Sequence, residues 1–178
     1  MKHFIVPKRE EVSSNNQVLF DKMKKGLGMV PNLYAVFAYS ENALETYLNL
    51  ENAPTSLTSK QLEAINLIVS EINNCSYCLA AHTVIAKGAG FSTEQTVETR
   101  SGSASFDPAL DALTKLAKSI VSDKGHVDPM LIEFFFEAGF TKENLVDAIL
   151  AVGYRTITNY LHAITKIPVD FPKAPDLS

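Results

Sequence analysis

The sequence predicts an all-α protein of about eight or nine helices. Three observations carry that prediction. Apolar residues recur at three- and four-residue spacing through most of the chain, and clear alternating strand patterns are absent. Helix-start signals recur: Thr58-x-x-Gln61 and Ser92-x-x-Gln95 have the form of capping boxes, and Asp107-Pro108 and Asp128-Pro129 pair an N-cap acid with a first-turn proline. Glycines or prolines follow the end of most runs.

The elements follow in order. Residues 15–26 carry Val18, Leu19 and Met23 at helical spacing, and Gly26 and Gly28 end the run. Pro31 opens a short apolar segment reaching Tyr39. Ser40 can cap the next helix, which fades at Ala53-Pro54. Thr58 starts a helix bearing Leu62, Ile65, Ile68 and Val69, interrupted at Asn73-Asn74. A further helix holds both cysteines and ends at Gly88 and Gly90. After the short Ser92 helix, Asp107 and Asp128 start two more, and Gly139 stops the one containing Phe134, Phe135 and Phe136. Those three phenylalanines point in more than one direction around their helix, which burial in the core alone, or in the core and a subunit interface together, would satisfy. Thr141 begins a long helix reaching about Thr165, and Pro168 and Pro172 mark an extended tail. Nothing reads as a linker, so residues 1–178 are expected to form a single domain.

An internal echo points to two related helical units. AGFSTEQTV at 89–97 is matched by AGFTKENLV at 138–146, and the same 49-residue shift carries the Thr58 start onto Asp107. In that register Lys124 stands opposite Cys75 and Leu131 opposite His82, so only the first unit would carry chemistry.

Composition bounds the function. The 178 residues are 46% hydrophobic and 20% charged, a globular balance with enough chain for a real core. A net charge of -4 gives no general attraction to nucleic acid or anionic membranes. There is no apolar run of membrane-spanning length, and MKHFIVPKREEV lacks the apolar core of a secretory signal, so the expected location is the cytoplasm. In a reducing compartment a close C-x-x-C pair points to redox or metal chemistry.

The chemistry-bearing residues lie in EINNCSYCLAAH, residues 71–82. On a helix, Cys75, Cys78 and His82 fall at 0°, 300° and 340°, one narrow stripe. Cysteines three apart on a helix have Cα atoms about 5 to 6 Å apart, within disulfide reach. With Asn74 or Ser76 as the cap, the positive helix end would lie beside the thiols and favour the thiolate, at Cys75 first. His82, one turn past Cys78, can relay a proton if a carboxylate orients it. Glu63 and Glu71 both stand on the preceding helix, and the residues alone do not choose between them.

Competing uses of these residues are weaker. Cys75, Cys78, His82 and Glu63 could supply four zinc ligands, but this stripe resembles no common zinc module. Haem attachment needs histidine directly after the second cysteine, where Leu79 stands. A thioredoxin-like site would place a strand before the pair. Two small buried core residues are the bland alternative. His3, His126 and His162 have no partners in sequence; His126 reads as exposed and His162 as a packing or interface residue.

Glu63, eleven residues, then Cys75-x-x-Cys78-x-x-x-His82 resembles the E-x11-C-x-x-C-x-x-x-H signature of the alkylhydroperoxidase D-like proteins, in the carboxymuconolactone decarboxylase superfamily. GMVPNLY at 28–34 and IPVDFP at 167–172 resemble its peroxidase-related branch. The resemblance implies an all-α fold, trimers or hexamers, and thiol peroxidase or disulfide reductase activity. It implies a Glu63–His82 relay, attack on peroxide by Cys78 and resolution by Cys75. The substrate is then a peroxide, the reductant a protein or small thiol, and no metal or organic cofactor is needed. One departure is Tyr77, where the best-known relative has histidine; tyrosine is a poor proton relay near neutrality. The alternatives are a lactone-acid decarboxylase of the same superfamily, which does not need the cysteine pair, and a non-enzymatic redox-sensing switch. The apolar load of the 130–138 and 145–164 segments, more than one face can hide, itself points to self-association.

Overall fold

In the stretch EAINLIVS every residue from Glu63 to Ser70 is buried. A helix enclosed on all sides must lie at the centre of its layer. In the computed structural model, which describes residues 4–177, this is α4, Ser59–Ile72. Before it come a 3-10 turn, Arg9–Glu11, and the helices α1 Ser14–Leu27, α2 Asn32–Phe37 and α3 Ala43–Glu51. After it come α5 Ser76–Gly88, α6 Thr93–Ser101, α7 Pro108–Ser122, α8 Pro129–Glu137 and α9 Lys142–Thr165. The nine α-helices match the predicted class, and no strand occurs among the described residues. His3 lies outside them.

α4 packs against α5, α6, α7 and α9. Its apolar side meets Leu113 and Leu116 of α7, Phe135 of α8 and Ala148 and Ala151 of α9. Of the three consecutive phenylalanines, Phe135 is fully enclosed and stacks on Phe140 with ring centroids 4.3 Å apart, while Phe134 is 49% exposed. α4 also buries a polar stripe, Glu63, Asn66 and Ser70, at i, i+3 and i+7. Buried polar groups cost free energy unless partnered, and each of these three is. Their partners lie on α5 and α9, and this stripe positions the site.

The predicted caps form. Thr58, Ser92 and Thr141 close capping boxes, and Asp107 and Asp128 accept the first free N–H groups of α7 and α8. Ser40 accepts from Ala43 N, although Asn42 holds the N-cap position of α3. The 49-residue echo holds at the starts of α4 and α7 and of α6 and α9, but not throughout. α7 is one residue longer than α4, so the left-handed stops Asn74 and Lys124 correspond. Cys75 N then donates to Ser70 O as Gly125 N does to Ile120 O. Lys124 therefore stands opposite Asn74, not Cys75, and the segment before α8 is longer than its counterpart before α5.

Candidate active site around the cysteine pair

Asn74 adopts φ 51, and Cys75 N bonds back to Ser70 O at 2.9 Å. This left-handed stop ends α4 and turns the chain directly into α5. Neither Asn74 nor Ser76 caps α5. Cys75 does so itself, with φ -89 and ψ 91, its Sγ accepting from Cys78 N at 3.2 Å. The helical stripe thus contains Cys78 and His82, and Cys75 sits just before it. The capping bond still holds the Cys75 sulfur over the first turn, beside Cys78.

His82 Nδ1 lies 2.8 Å from Glu63 Oε2, joining α5 to α4. Glu71 is turned the other way and takes Arg100 Nε at 2.7 Å, bracing α6. The geometry therefore chooses the carboxylate that residue spacing left open. Glu63 Oε1 accepts from Asn66 Nδ2 at 2.8 Å, and Asn66 Oδ1 accepts from Arg155 Nε at 2.9 Å. Arg155, only 3% exposed, also donates to Thr158 Oγ1 at 3.2 Å and to Glu51 Oε1 at 2.8 Å. Tyr34 and Tyr47 both donate to Glu51. A buried polar chain thus runs from the histidine to a guanidinium and a second carboxylate, with α3, α4, α5 and α9 each contributing.

The charges act on the thiols in opposite directions. Burial pushes the Cys78 thiol up, but the hydrogen bond with Cys75 and the charges of Arg155 and His82 outweigh it and bring it down to about 6. The Cys75 thiol is driven well above its ordinary range, first by its hydrogen bond to Cys78, then by burial and the Cys78 charge. Burial also pushes Glu63 up; the His82 ring, the Arg155 charge and the Asn66 amide overcome it and hold the carboxyl below its usual range. One sulfur is thus set up as thiolate and its neighbour as thiol. The dipole at the helix end, which alone would favour Cys75, is worth only about 0.3 to 1 kcal/mol.

A cavity of about 500 Å³ opens beside this pair. Cys78, His82, Arg155 and Tyr34 contribute its polar wall, and Met23, Leu27, Met29, Leu33 and Phe171 much of the apolar one. Cys78 lines it, whereas Cys75 does not. With Nδ1 engaged by Glu63, His82 Nε2 has no hydrogen-bond partner among the described residues and is left for whatever occupies the cavity. Among the described residues, no group of three or more His, Cys, Asp and Glu is arranged to hold a metal ion.

Tyr77, between the two cysteines, is a strut. Its hydroxyl donates to Asp170 Oδ1 and accepts from Leu33 N at 3.2 Å, and its ring meets Phe171 edge-on at 5.7 Å. Asp170 Oδ2 also accepts from Asn32 N at 2.8 Å. The extended tail is thereby strapped across α2 and the cysteine turn, with Phe171 as a cavity wall. His162 packs against the Tyr77 ring at 5.4 Å, and His126 is exposed.

Sequence reasoning missed Arg155, Glu51 and Asn66. A signal existed for Arg155. It falls on the face of α9 marked by Ala148, Ala151, Val152 and Thr158, all buried, where an unpaired charge could not remain.

Residues 40–119 match the profile of the Carboxymuconolactone decarboxylase family. No curated protein sequence gives a significant match. Among solved structures, the chain is similar to an uncharacterized peroxidase-related protein from Silicibacter sp. TM1040, with TM-score 0.81, 19% identity, and coverage of 97% of this chain and 94% of that one. It is similar to an alkylhydroperoxidase AhpD core protein, an uncharacterized peroxidase-related protein from Ralstonia eutropha JMP134, with TM-score 0.85, 19% identity, and 94% and 92% coverage. It also resembles the debrominase Bmp8 in complex with 2,3,4-tribromopyrrole, with TM-score 0.78, 16% identity, and 96% and 93% coverage. Over residues 40–119 the chain is similar to that family. Its fold is that of the alkylhydroperoxidase D-like proteins.

Proposed function

We propose that this protein is a thiol-dependent peroxidase, in which residues 1–178 act as one domain in a reducing compartment such as the cytoplasm. The observation that carries the reading is the asymmetry of the pair: Cys78 lowered to about 6 on the cavity wall, and Cys75 held as a thiol behind it.

In this reading the Cys78 thiolate attacks the terminal peroxide oxygen and the O–O bond breaks. The leaving alkoxide takes a proton from His82, whose imidazolium Glu63 stabilises at 2.8 Å. Cys78 becomes a sulfenic acid. Cys75 then attacks that sulfur, water leaves, and a Cys75–Cys78 disulfide forms. The two electrons given to the peroxide return when a protein or small-thiol reductant exchanges with the disulfide. The relay returns to rest as His82 recovers its proton. No bound metal or organic cofactor is called for in this cycle.

The test is peroxide consumption with a panel of reductants, beside Cys75→Ser/Cys78→Ser protein. The reading requires consumption that depends on the reductant and disappears in the double variant. A second reading, reductive removal of bromine from an aromatic ring, is favoured by the volume and apolar lining of the cavity. There the dithiol supplies two electrons, the ring carbon gains a proton and bromide leaves. Bromide release from a brominated pyrrole, with the hydroperoxides left intact, selects it.

No helix among the described residues is long and apolar enough to cross a membrane. The lactone-acid decarboxylase alternative leaves the thiol asymmetry without a purpose. A purely sensing role leaves the cavity without one.

A further inference from the structure

Asn159, on α9, is fully enclosed and does not line the cavity. An asparagine amide carries one acceptor oxygen and two N–H donors, and a buried one must place them. Oδ1 accepts from Asn73 Nδ2 at 2.9 Å, at the end of α4. Nδ2 donates to Ser70 Oγ at 3.2 Å. Those two bonds engage the oxygen and one N–H. Ser70 also accepts Cys75 N on its carbonyl at 2.9 Å, so one residue fixes both the amide and the cysteine turn.

The second N–H serves the sulfurs. Burial pushes the Cys78 thiol up, and Cys75, Arg155, His82 and a hydrogen bond from Asn159 bring it down. At Cys75 the bond to Cys78 and burial push upward, and the same amide pulls the other way. The charges facing Cys78 are Arg155 on α9 and His82 on α5, with Glu63 of α4 behind the histidine. α2 brings Leu33 and Val36 against the pair and the tail brings Ile167, all apolar. The Tyr77 hydroxyl is taken by Asp170. Asn159 is therefore the uncharged donor of the pair.

We propose that Asn159 is a further catalytic residue of the thiol site: from behind the cavity its amide N–H holds the Cys78 thiolate, in an orientation locked by Asn73. This rests on the thiol chemistry proposed above, not on the choice of oxidant. Once Cys78 is a sulfenic acid, negative charge must develop at Cys75 as that thiol attacks. The S–S bond forms, the S–O bond breaks, and the Cys75 proton leaves with the hydroxyl as water. A donor that reaches both sulfurs serves each step without moving. Because Asn159 lies off the cavity wall, its loss should lower thiol reactivity without changing what the cavity admits.

Iodoacetamide alkylation of the reduced protein against pH, with peptide mapping to read Cys78, tests this. It uses no peroxide, so its outcome is separate from that of the peroxidase reading. Asn159→Leu removes the donor. Alkylation should become about tenfold slower near pH 5 and change little near pH 9, because losing a hydrogen bond to a charge moves the midpoint by about one pH unit. Asn73→Asp leaves Asn159 in place but offers it only acceptors. The amide then turns over, gives Nδ2 to the new carboxylate and presents its oxygen to the sulfurs, so the same slowing at low pH should follow. Asn74→Asp puts the same charge one residue on, at an exposed position, and should slow alkylation much less. If Asn159→Leu fails to fold, Asn73→Asp decides. An unchanged profile in Asn73→Asp, equal losses at both pH values, or equal slowing by Asn74→Asp would overturn the proposal and leave Asn159 a link between α9 and the end of α4.

Discussion

Arg155 Nε donates to Asn66 Oδ1 at 2.9 Å, and through Asn66 this buried guanidinium is tied to the Glu63–His82 pair. Its charge also lowers Cys78, so Arg155 positions the relay and helps activate the thiol together. Arg155→Gln should raise the Cys78 titration midpoint from about 6, read from thiolate absorbance against pH. It should also destabilise the fold by a few kcal/mol at most, because half-buried Glu51 loses its cationic partner and keeps only the Tyr34 and Tyr47 hydroxyls. Arg155→Lys keeps the charge but cannot reach Asn66, Thr158 and Glu51 together, so its midpoint should move less.

The pH dependence has a definite sign. The reacting species is the thiolate, and Cys78 is lowered, so the oxidation rate should rise with pH through about 6 and level off near neutrality. An unperturbed thiol would rise through about 8.5 instead. Stopped-flow oxidation across that range separates the two.

Glu63→Gln and His82→Ala should each slow thiol oxidation while circular dichroism stays helical. General acid–base groups contribute about 100- to 10,000-fold. Rates unchanged in both variants would make the 2.8 Å pair structural.

Tyr77→Phe removes the bonds to Asp170 and from Leu33 N and spares the ring packing. It should cost about 0.5 to 1.5 kcal/mol by thermal unfolding, with thiol oxidation changed only a few-fold. A large rate loss at constant stability would make Tyr77 a relay.

The two single serine variants separate the roles of the sulfurs. Cys75→Ser should accumulate a trappable Cys78 sulfenic acid after one equivalent of peroxide, and Cys78→Ser should react slowly. The reverse pattern would mean that the helix end governs activation.

The helices were legible because their ends are written in local chemistry: Thr58, Ser92, Asp107, Asp128 and Thr141 each cap the helix they announce. Glu63, Cys75, Cys78 and His82 were legible because their spacing is short and fixed. Cys75 as its own cap was not, since sulfur is a weak acceptor and Asn74 and Ser76 are the usual choices. Asn74 was instead consumed by the left-handed stop. The Arg155–Glu51 pair joins residues 104 positions apart, beyond any local pattern. The choice of Glu63 over Glu71 likewise required Arg100, which claims Glu71 from α6.

The central claim is that two electrons pass from the Cys75–Cys78 dithiol to a peroxide. Reduced protein, mixed with one equivalent of an organic hydroperoxide without reductant, should yield one equivalent of alcohol and lose two hydrogens per chain by intact mass. Peptide mapping should place a Cys75–Cys78 disulfide within one chain. Free thiols after the peroxide is consumed, or equal consumption by Cys75→Ser/Cys78→Ser protein, would contradict the account.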